Sequence, residues 1–283
     1  MKINWFPGHM KKAIMMMDFE IKNVDLILYC LDSRAPLSCL NPNFNNLLNR
    51  KPIIFVLTKA DLADENENKK WVQYFEKIGG VISINSTVSG AGFELKKKIN
   101  QILQHKLDRN VRKGINIPLR AMVIGVPNTG KSTLINNLCG NARAIVGNKP
   151  GVTRGKQWIK IDENLELMDT PGTLWPDLEN EKVARHLAYV GSIKEEVLDI
   201  PSLVIEFLME IMQNYTNNLE ERYGVEFSEA NILSSFDAIC LKRGWILKGK
   251  EPDYERGGRA ILDDFRKGKL GRISLEKNNG ENS

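Results

Sequence analysis

The run Gly125-Val-Pro-Asn-Thr-Gly-Lys-Ser132 sets two glycines, a lysine and a hydroxyl at the spacing of a phosphate-binding loop. Gly125 and Gly130 let the backbone approach phosphate oxygens, Lys131 supplies a point charge to the β- and γ-phosphates, and Ser132 offers a hydroxyl to Mg²⁺. Asn128, Thr129, Gly130, Lys131, Ser132 and Thr133 are therefore expected around a nucleoside triphosphate. Downstream, Asp169-Thr-Pro-Gly172 combines a carboxylate with a flexible glycine. Asp169 would hold Mg²⁺ through water, and Gly172 would give its N–H to the γ-phosphate. Alone, Asp-x-x-Gly is a common turn; after a phosphate loop it reads as a switch that triphosphate orders. Between the two lies Lys149-Pro-Gly-Val-Thr-Arg-Gly155, and that order makes Thr153 the first-switch ligand of Mg²⁺.

Base recognition falls upstream, in Thr58-Lys-Ala-Asp61. A carboxylate at Asp61 can accept from both the ring N–H and the exocyclic amine of guanine, whereas adenine offers neither in that arrangement. Lys59 would lie along the base plane. A second segment, Asn85-Ser-Thr-Val-Ser-Gly-Ala-Gly92, fits a loop whose backbone N–H groups at Ser86 and Thr87 meet the guanine O6, although by itself it reads as a polar turn.

These groups need elements to carry them. Apolar runs at 119–124, 165–168, 52–57 and 80–84 predict strands, each ending at one of the motifs. Continuous rather than alternating apolar character marks strands buried on both faces of a mostly parallel sheet, with ligands at its carboxyl edge. Helices are expected from Lys131 and over 93–107. From about residue 178, apolar residues at helical spacing over 181–198 and 203–219 predict a small all-α region. The expected division is 1–177 for the nucleotide-binding domain with an N-terminal arm and 178–283 for the helical domain, with a hinge near Pro176.

Base, base, phosphate, switch, switch inverts the usual order of GTPase segments, and the chain resembles a circularly permuted P-loop GTPase. Asn4-Trp-Phe-Pro-Gly-His-Met10, the run Val24-Asp-Leu-Ile-Leu-Tyr-Cys-Leu-Asp-Ser-Arg34 and the closing helical region resemble the ribosome biogenesis GTPase A (YlqF/RbgA) family over nearly the whole chain. That resemblance implies GTP hydrolysis to GDP, slow alone and stimulated when the protein binds the precursor of the large ribosomal subunit, whose late maturation such proteins assist. It also implies His9 as the catalytic group. The position two beyond Gly172, where many small GTPases carry a water-orienting Gln, is the apolar Leu174. GTPases with Asn at the position of Asn128 often use it to hold K⁺ beside the phosphates, although Asn is also simply a good loop residue. The family's base segment commonly begins with Asn, where this chain has Thr58. Loss of one buried hydrogen bond costs roughly 0.5–1.5 kcal/mol, so guanine preference should survive with weaker affinity.

Composition is compatible with this reading. The 283 residues are 42% hydrophobic, enough for one nucleotide domain and a smaller partner. Cys30, Cys39, Cys139 and Cys240 lack metal-ligand spacing and read as reduced thiols, unlike the zinc cluster of permuted GTPases of the small-subunit type. No apolar stretch is long enough to cross a bilayer, and Asp18 and Glu20 soon after Lys11-Lys12 argue weakly against a transit peptide, so a cytoplasmic setting is expected; the chain is expected to be a monomer, although nothing in the sequence fixes its oligomeric state. Net charge is +5, with Lys242, Arg243, Lys248, Lys250, Arg256, Arg259, Arg266, Lys267, Lys269 and Arg272 crowded near the end around Trp245 and Tyr254. That cluster suits either an RNA face or a mixed-charge helical surface. The resemblance implies ribosomal RNA, with no DNA and no membrane. The alternative is a GTP-dependent regulator of another RNA or protein.

Overall fold

The computed structural model describes residues 8–85, 90–114, 117–139, 157–176, 178 and 180–278. In chain order its elements are α1 (Gly8–Glu20), β1 (Leu26–Asp32), α2 (Asn45–Leu48), β2 (Ile53–Thr58), α3 (Glu65–Glu76), β3 (Gly80–Ser83), α4 (Ala91–Ile102), α5 (Gln104–Arg112), β4 (Leu119–Ile124), α6 (Lys131–Cys139), β5 (Gln157–Lys160), β6 (Leu165–Asp169), α7 (Glu181–Tyr189), α8 (Ile200–Tyr223), α9 (Ile232–Arg243) and α10 (Tyr254–Arg266). The six strands form one sheet in the order β3-β2-β1-β4-β6-β5. Every pairing is parallel except that of β5 with β6. This is a mixed α/β fold with a mostly parallel sheet flanked by helices.

Strand β1 is buried at all seven positions, because it lies mid-sheet with helices on both sides. Its alternate residues serve different layers. Leu26, Leu28 and Cys30 pack with Leu95 and Ile99 of α4 and Leu134 and Ile135 of α6. Ile27, Tyr29 and Leu31 face a larger core that takes in Met10 and Met17 of α1, Trp71 and Phe75 of α3, and Leu187, Phe207, Phe236 and Phe265 from the helices after residue 180. The C-terminal helices thus bury their apolar stripes chiefly against one another, in a core continuous with that sheet face.

The strands fall where the apolar runs predict them, shifted by a residue at some ends. Three elements differ. The helix expected over 93–107 is two helices, α4 and α5, broken at Leu103, and α5 buries none of its residues. The helix expected over 181–198 stops at Tyr189, since Gly191 adopts φ +81°, a left-handed conformation that a helix cannot continue through. Edge strand β5, four residues long, has no apolar run to announce it.

Residues 272–278 return across the nucleotide-binding region. Ile273 N–H donates to Leu62 O (2.9 Å) and Leu275 N–H to Arg34 O (2.8 Å). The Glu276 carboxylate accepts from the backbone N–H groups of Leu37 (2.7 Å) and Ser38 (2.9 Å). His186 completes this anchor, with Nε2 2.6 Å from Glu210 and Nδ1 3.2 Å from Glu276. Burial opposes protonation of His186, but the hydrogen bonds to Glu210 and Glu276 outweigh it and raise its pKa.

Candidate functional site: a nucleotide pocket at the carboxyl edge of the sheet

Strands β1, β2, β4 and β6 all deliver their carboxyl ends to one edge, where the central strands of an open α/β sheet present ligand-binding loops. From β4 the chain enters the loop 125–130 and then α6 at Lys131, the expected strand, loop and helix. Helix α6 therefore offers its positive N-terminal end to anions placed over the loop. Thr129 is buried and its hydroxyl closes the loop on Val126 O at 2.9 Å. Lys131 Nζ donates to Val126 O at 2.7 Å, and burial lowers the pKa of this ammonium. Thr133 is half-buried in the first turn of α6.

Beside the loop, the β6 tip sets Asp169 next to Ser132, whose hydroxyl donates to Oδ2 at 3.3 Å. A buried carboxylate and a hydroxyl side by side at a phosphate loop form a hard-oxygen donor pair that fits Mg²⁺. Gly172 lies so close that a Cβ there would stand 2.6 Å from Pro127 Cα and 3.0 Å from Lys131 Nζ. Thr173 N–H reaches Gly125 O at 3.4 Å. The switch loop thus rests directly on the phosphate loop. Leu174 is fully buried, its N–H against Met10 Sδ at 3.4 Å, so it cannot orient water. His9 is the second residue of α1, immediately before the Met10 whose side chain meets this switch.

The base segment follows β2. Asp61 is exposed at this edge. Lys59 adopts φ +54°, rare for a side chain of this size, and is fixed there by Asp32 Oδ2 at 2.9 Å and Asn128 O at 2.6 Å. Asp32 also takes a two-pronged contact from Arg34 at 2.9 and 2.8 Å. Burial would raise the Asp32 pKa, yet Arg34 and Lys59 override it and hold the carboxyl well below the usual range.

Thr58 stands where a shorter side chain is expected to leave the guanine ring with one contact fewer. It is fully buried, and its hydroxyl lies 2.7 Å from Thr129 O and 3.0 Å from Leu31 O. The hydroxyl ties the base strand to the phosphate loop. Asn128 is similarly engaged: its Nδ2 donates to Gly191 O at 2.6 Å, while Ser192 Oγ donates to Pro127 O at 2.6 Å. The turn after α7 therefore braces the phosphate loop. Sequence reasoning missed Asp32, Arg34, Gly191 and Ser192; only the acid and base two residues apart at the end of an apolar strand signal the first pair. Ser86, Thr87 and Thr153 lie outside the described residues.

The C-terminal basic cluster is largely occupied within the chain. Arg259 and Arg266 pair with Glu195, Lys267 with Asp263, Lys269 with Asp264, and Lys242 and Arg243 bond backbone carbonyls. Trp245 packs against the core, and Tyr254 lies tilted against Phe236 with its hydroxyl on Asp237, so neither stands out as a free platform for bases. Burial pushes the Cys30 thiol up to about 12 and that of Cys240 up to about 11, which keeps both protonated and unreactive.

Phosphate loop, carboxylate-tipped switch strand and guanine-type base segment on one parallel sheet define a P-loop GTPase whose base-recognition half precedes its phosphate half. The family profile described as "50S ribosome-binding GTPase" matches residues 120–232, and one described as "Ethanolamine utilisation - propanediol utilisation" matches 8–104. The chain is 40% identical over 280 residues to ribosome biogenesis GTPase A of Bacillus licheniformis, covering 98% of this chain and 99% of the relative. It is 32% identical to the Thermotoga maritima protein of that name, covering 97% and 94%. Crystalline GNP-bound YlqF from T. maritima superposes with a TM-score of 0.67 at 28% identity, over 95% of this chain and 99% of that one. The chain belongs to the ribosome biogenesis GTPase A family: it binds guanine nucleotide, hydrolyses GTP and acts in ribosome assembly.

Proposed function

We propose that the protein docks on the precursor of the large ribosomal subunit, contacts its rRNA, and hydrolyses GTP slowly until the particle positions His9. The observation that carries this reading is the seat of α1: Met10 contacts Leu174 directly, so the helix that starts beside His9 rests on the switch whose own side chain cannot orient water. A partner that repositions the N-terminal arm can bring the imidazole to the attacking water.

In this scheme Asp61 selects guanine, with Ser86 and Thr87 N–H groups on O6 and Lys59 along the ring. Residues Asn128–Thr133 surround the phosphates, Lys131 neutralises charge on the transferring group, and the Gly172 N–H senses the γ-phosphate. Ser132, Thr153 and, through water, Asp169 would hold Mg²⁺, which neutralises phosphate charge when bound. Asn128, its amide plane set by Gly191 O, would hold K⁺.

Residues 1–177 and 178–283 serve as nucleotide and RNA-facing parts, with GTP fixing the second part for docking and hydrolysis releasing it. Support for that coupling is the pair of bonds from the turn after α7 to Pro127 and Asn128, a shorter route than the chain connection near Pro176. The exposed residues Lys248, Lys250 and Arg256 are the basic groups best placed for RNA phosphates. No helix among the described residues is long and apolar enough to cross a membrane; the proposed setting is a cytoplasmic monomer.

The test is GTP turnover in Mg²⁺ with K⁺ or Na⁺, alone and with large or small ribosomal subunits. Stimulation by large subunits only, lost in His9→Ala with GDP affinity kept, is expected. Equal stimulation by small subunits refutes the partner, unchanged His9→Ala turnover removes His9, and equal rates in Na⁺ remove K⁺.

A further inference from the structure

The loop that carries Asp61 is held from outside the nucleotide-binding region. Arg272 donates from Nε to Ala63 O (2.7 Å) and from a terminal nitrogen to Ala60 O (3.0 Å). Ile273 N–H donates to Leu62 O (2.9 Å), and Ser274 Oγ accepts from Asp64 N–H (3.1 Å). The Leu62 side chain reaches Gly268, where a Cβ would stand 2.7 Å from its Cδ2. Residues 60, 62, 63 and 64 are thus each gripped by the stretch 268–274, and Asp61 is the residue they bracket. On its other side the loop has, among the described residues, one backbone bond, Ala60 N–H to Ile84 O at 3.3 Å.

We propose that Arg272 is a positioning residue for guanine recognition: the C-terminal strap 272–276 braces the loop 60–64 so that both oxygens of Asp61 meet the base. This rests on the assignment of Asp61 to the base. A carboxylate that accepts from two N–H groups at once must be fixed in rotation as well as position, because swinging about one contact breaks the other. Asp61 is exposed, so backbone placement has to supply that constraint. A planar guanidinium fits the task better than an ammonium, since its fork bridges two carbonyls with fixed geometry. The strap is anchored independently at its far end by Glu276 on Leu37, Ser38 and His186, which lets it act as a brace rather than a loose tail.

Inosine nucleotides lack the exocyclic amine and so report the second contact separately. Fluorescent GDP and IDP would be titrated against the full-length protein and its Arg272→Gln and Arg272→Lys variants, with melting temperature measured in parallel. For Arg272→Gln, GDP affinity is expected to fall about tenfold and IDP affinity about threefold or less, with Arg272→Lys intermediate. A purely structural role would lower melting temperature while leaving the GDP:IDP ratio unchanged, and that outcome refutes the proposal. Asp61→Asn separates the two layers, because an amide at that position should favour XDP over GDP. If guanine preference persists in Asp61→Asn, the base assignment fails and the proposal with it. If preference switches while Arg272→Gln keeps the wild-type GDP:IDP ratio, only the brace fails.

Discussion

Substituting Gly172 by Ala tests whether the switch must touch the phosphate loop. The added Cβ would stand 2.6 Å from Pro127 Cα and 2.7 Å from Pro127 N, against 3.4 Å for the lower edge of ordinary contact. Both opposing atoms are backbone, so no side chain can swing away. The phosphate loop is braced at the contact by Ser192 on Pro127 O (2.6 Å) and Asn128 on Gly191 O (2.6 Å). At the switch, Thr173 N–H on Gly125 O is a long contact at 3.4 Å, while Thr170 Oγ1 on Val123 O (2.6 Å) and Asn41 Nδ2 on Thr173 O (3.0 Å) hold it on either side. Relieving the clash takes a separation of about 1 Å between the two loops, and overpacking of this kind costs about 1–3 kcal/mol. GDP makes no use of the Gly172 N–H, so its affinity should change less than threefold. A non-hydrolysable GTP analogue should bind about 5- to 150-fold more weakly, since each 1.4 kcal/mol is tenfold. Titration of both nucleotides, with single-turnover hydrolysis, reads this out. Wild-type analogue affinity and turnover in a variant that melts normally would refute the reasoning.

Asp32→Asn leaves Arg34 and Lys59 facing each other without their shared anion, and loss of one partner from a buried pair costs about 3–5 kcal/mol, measurable by urea unfolding at pH 7. The wild-type carboxyl is held below its unfolded value, so this contribution is present above about pH 4 and fades as pH falls through the folded value; a loss under 1 kcal/mol at pH 7 would contradict it. His186 titrates above its unfolded value, so its anchor stabilises fully below about pH 6.5 and weakens as pH rises through the folded value. The stability gap between wild type and His186→Gln should then be larger at pH 6 than at pH 9, and a gap that grows with pH would overturn the assignment.

The phosphate loop, the switch aspartate and the base segment were legible because each is a contiguous run whose chemistry is set locally. Glycines, a lysine and a hydroxyl at fixed spacing can do little else between a buried strand and a helix. Strands β2, β4 and β6 were legible for a related reason, since inner strands of a parallel sheet are apolar throughout. Tertiary structure alone decided what steadies these motifs. Thr58 reads as a missing amide until its hydroxyl is found on Thr129 O. Arg272 reads as one charge in a basic cluster until it is found on Ala60 O, 212 residues away. Gly191 and Ser192 are an unremarked dipeptide until they reach Pro127 and Asn128. In each case one partner is a backbone carbonyl, a group every residue owns, so the pairing leaves no trace in the sequence and is fixed only when packing of the C-terminal helices on the sheet brings the two together.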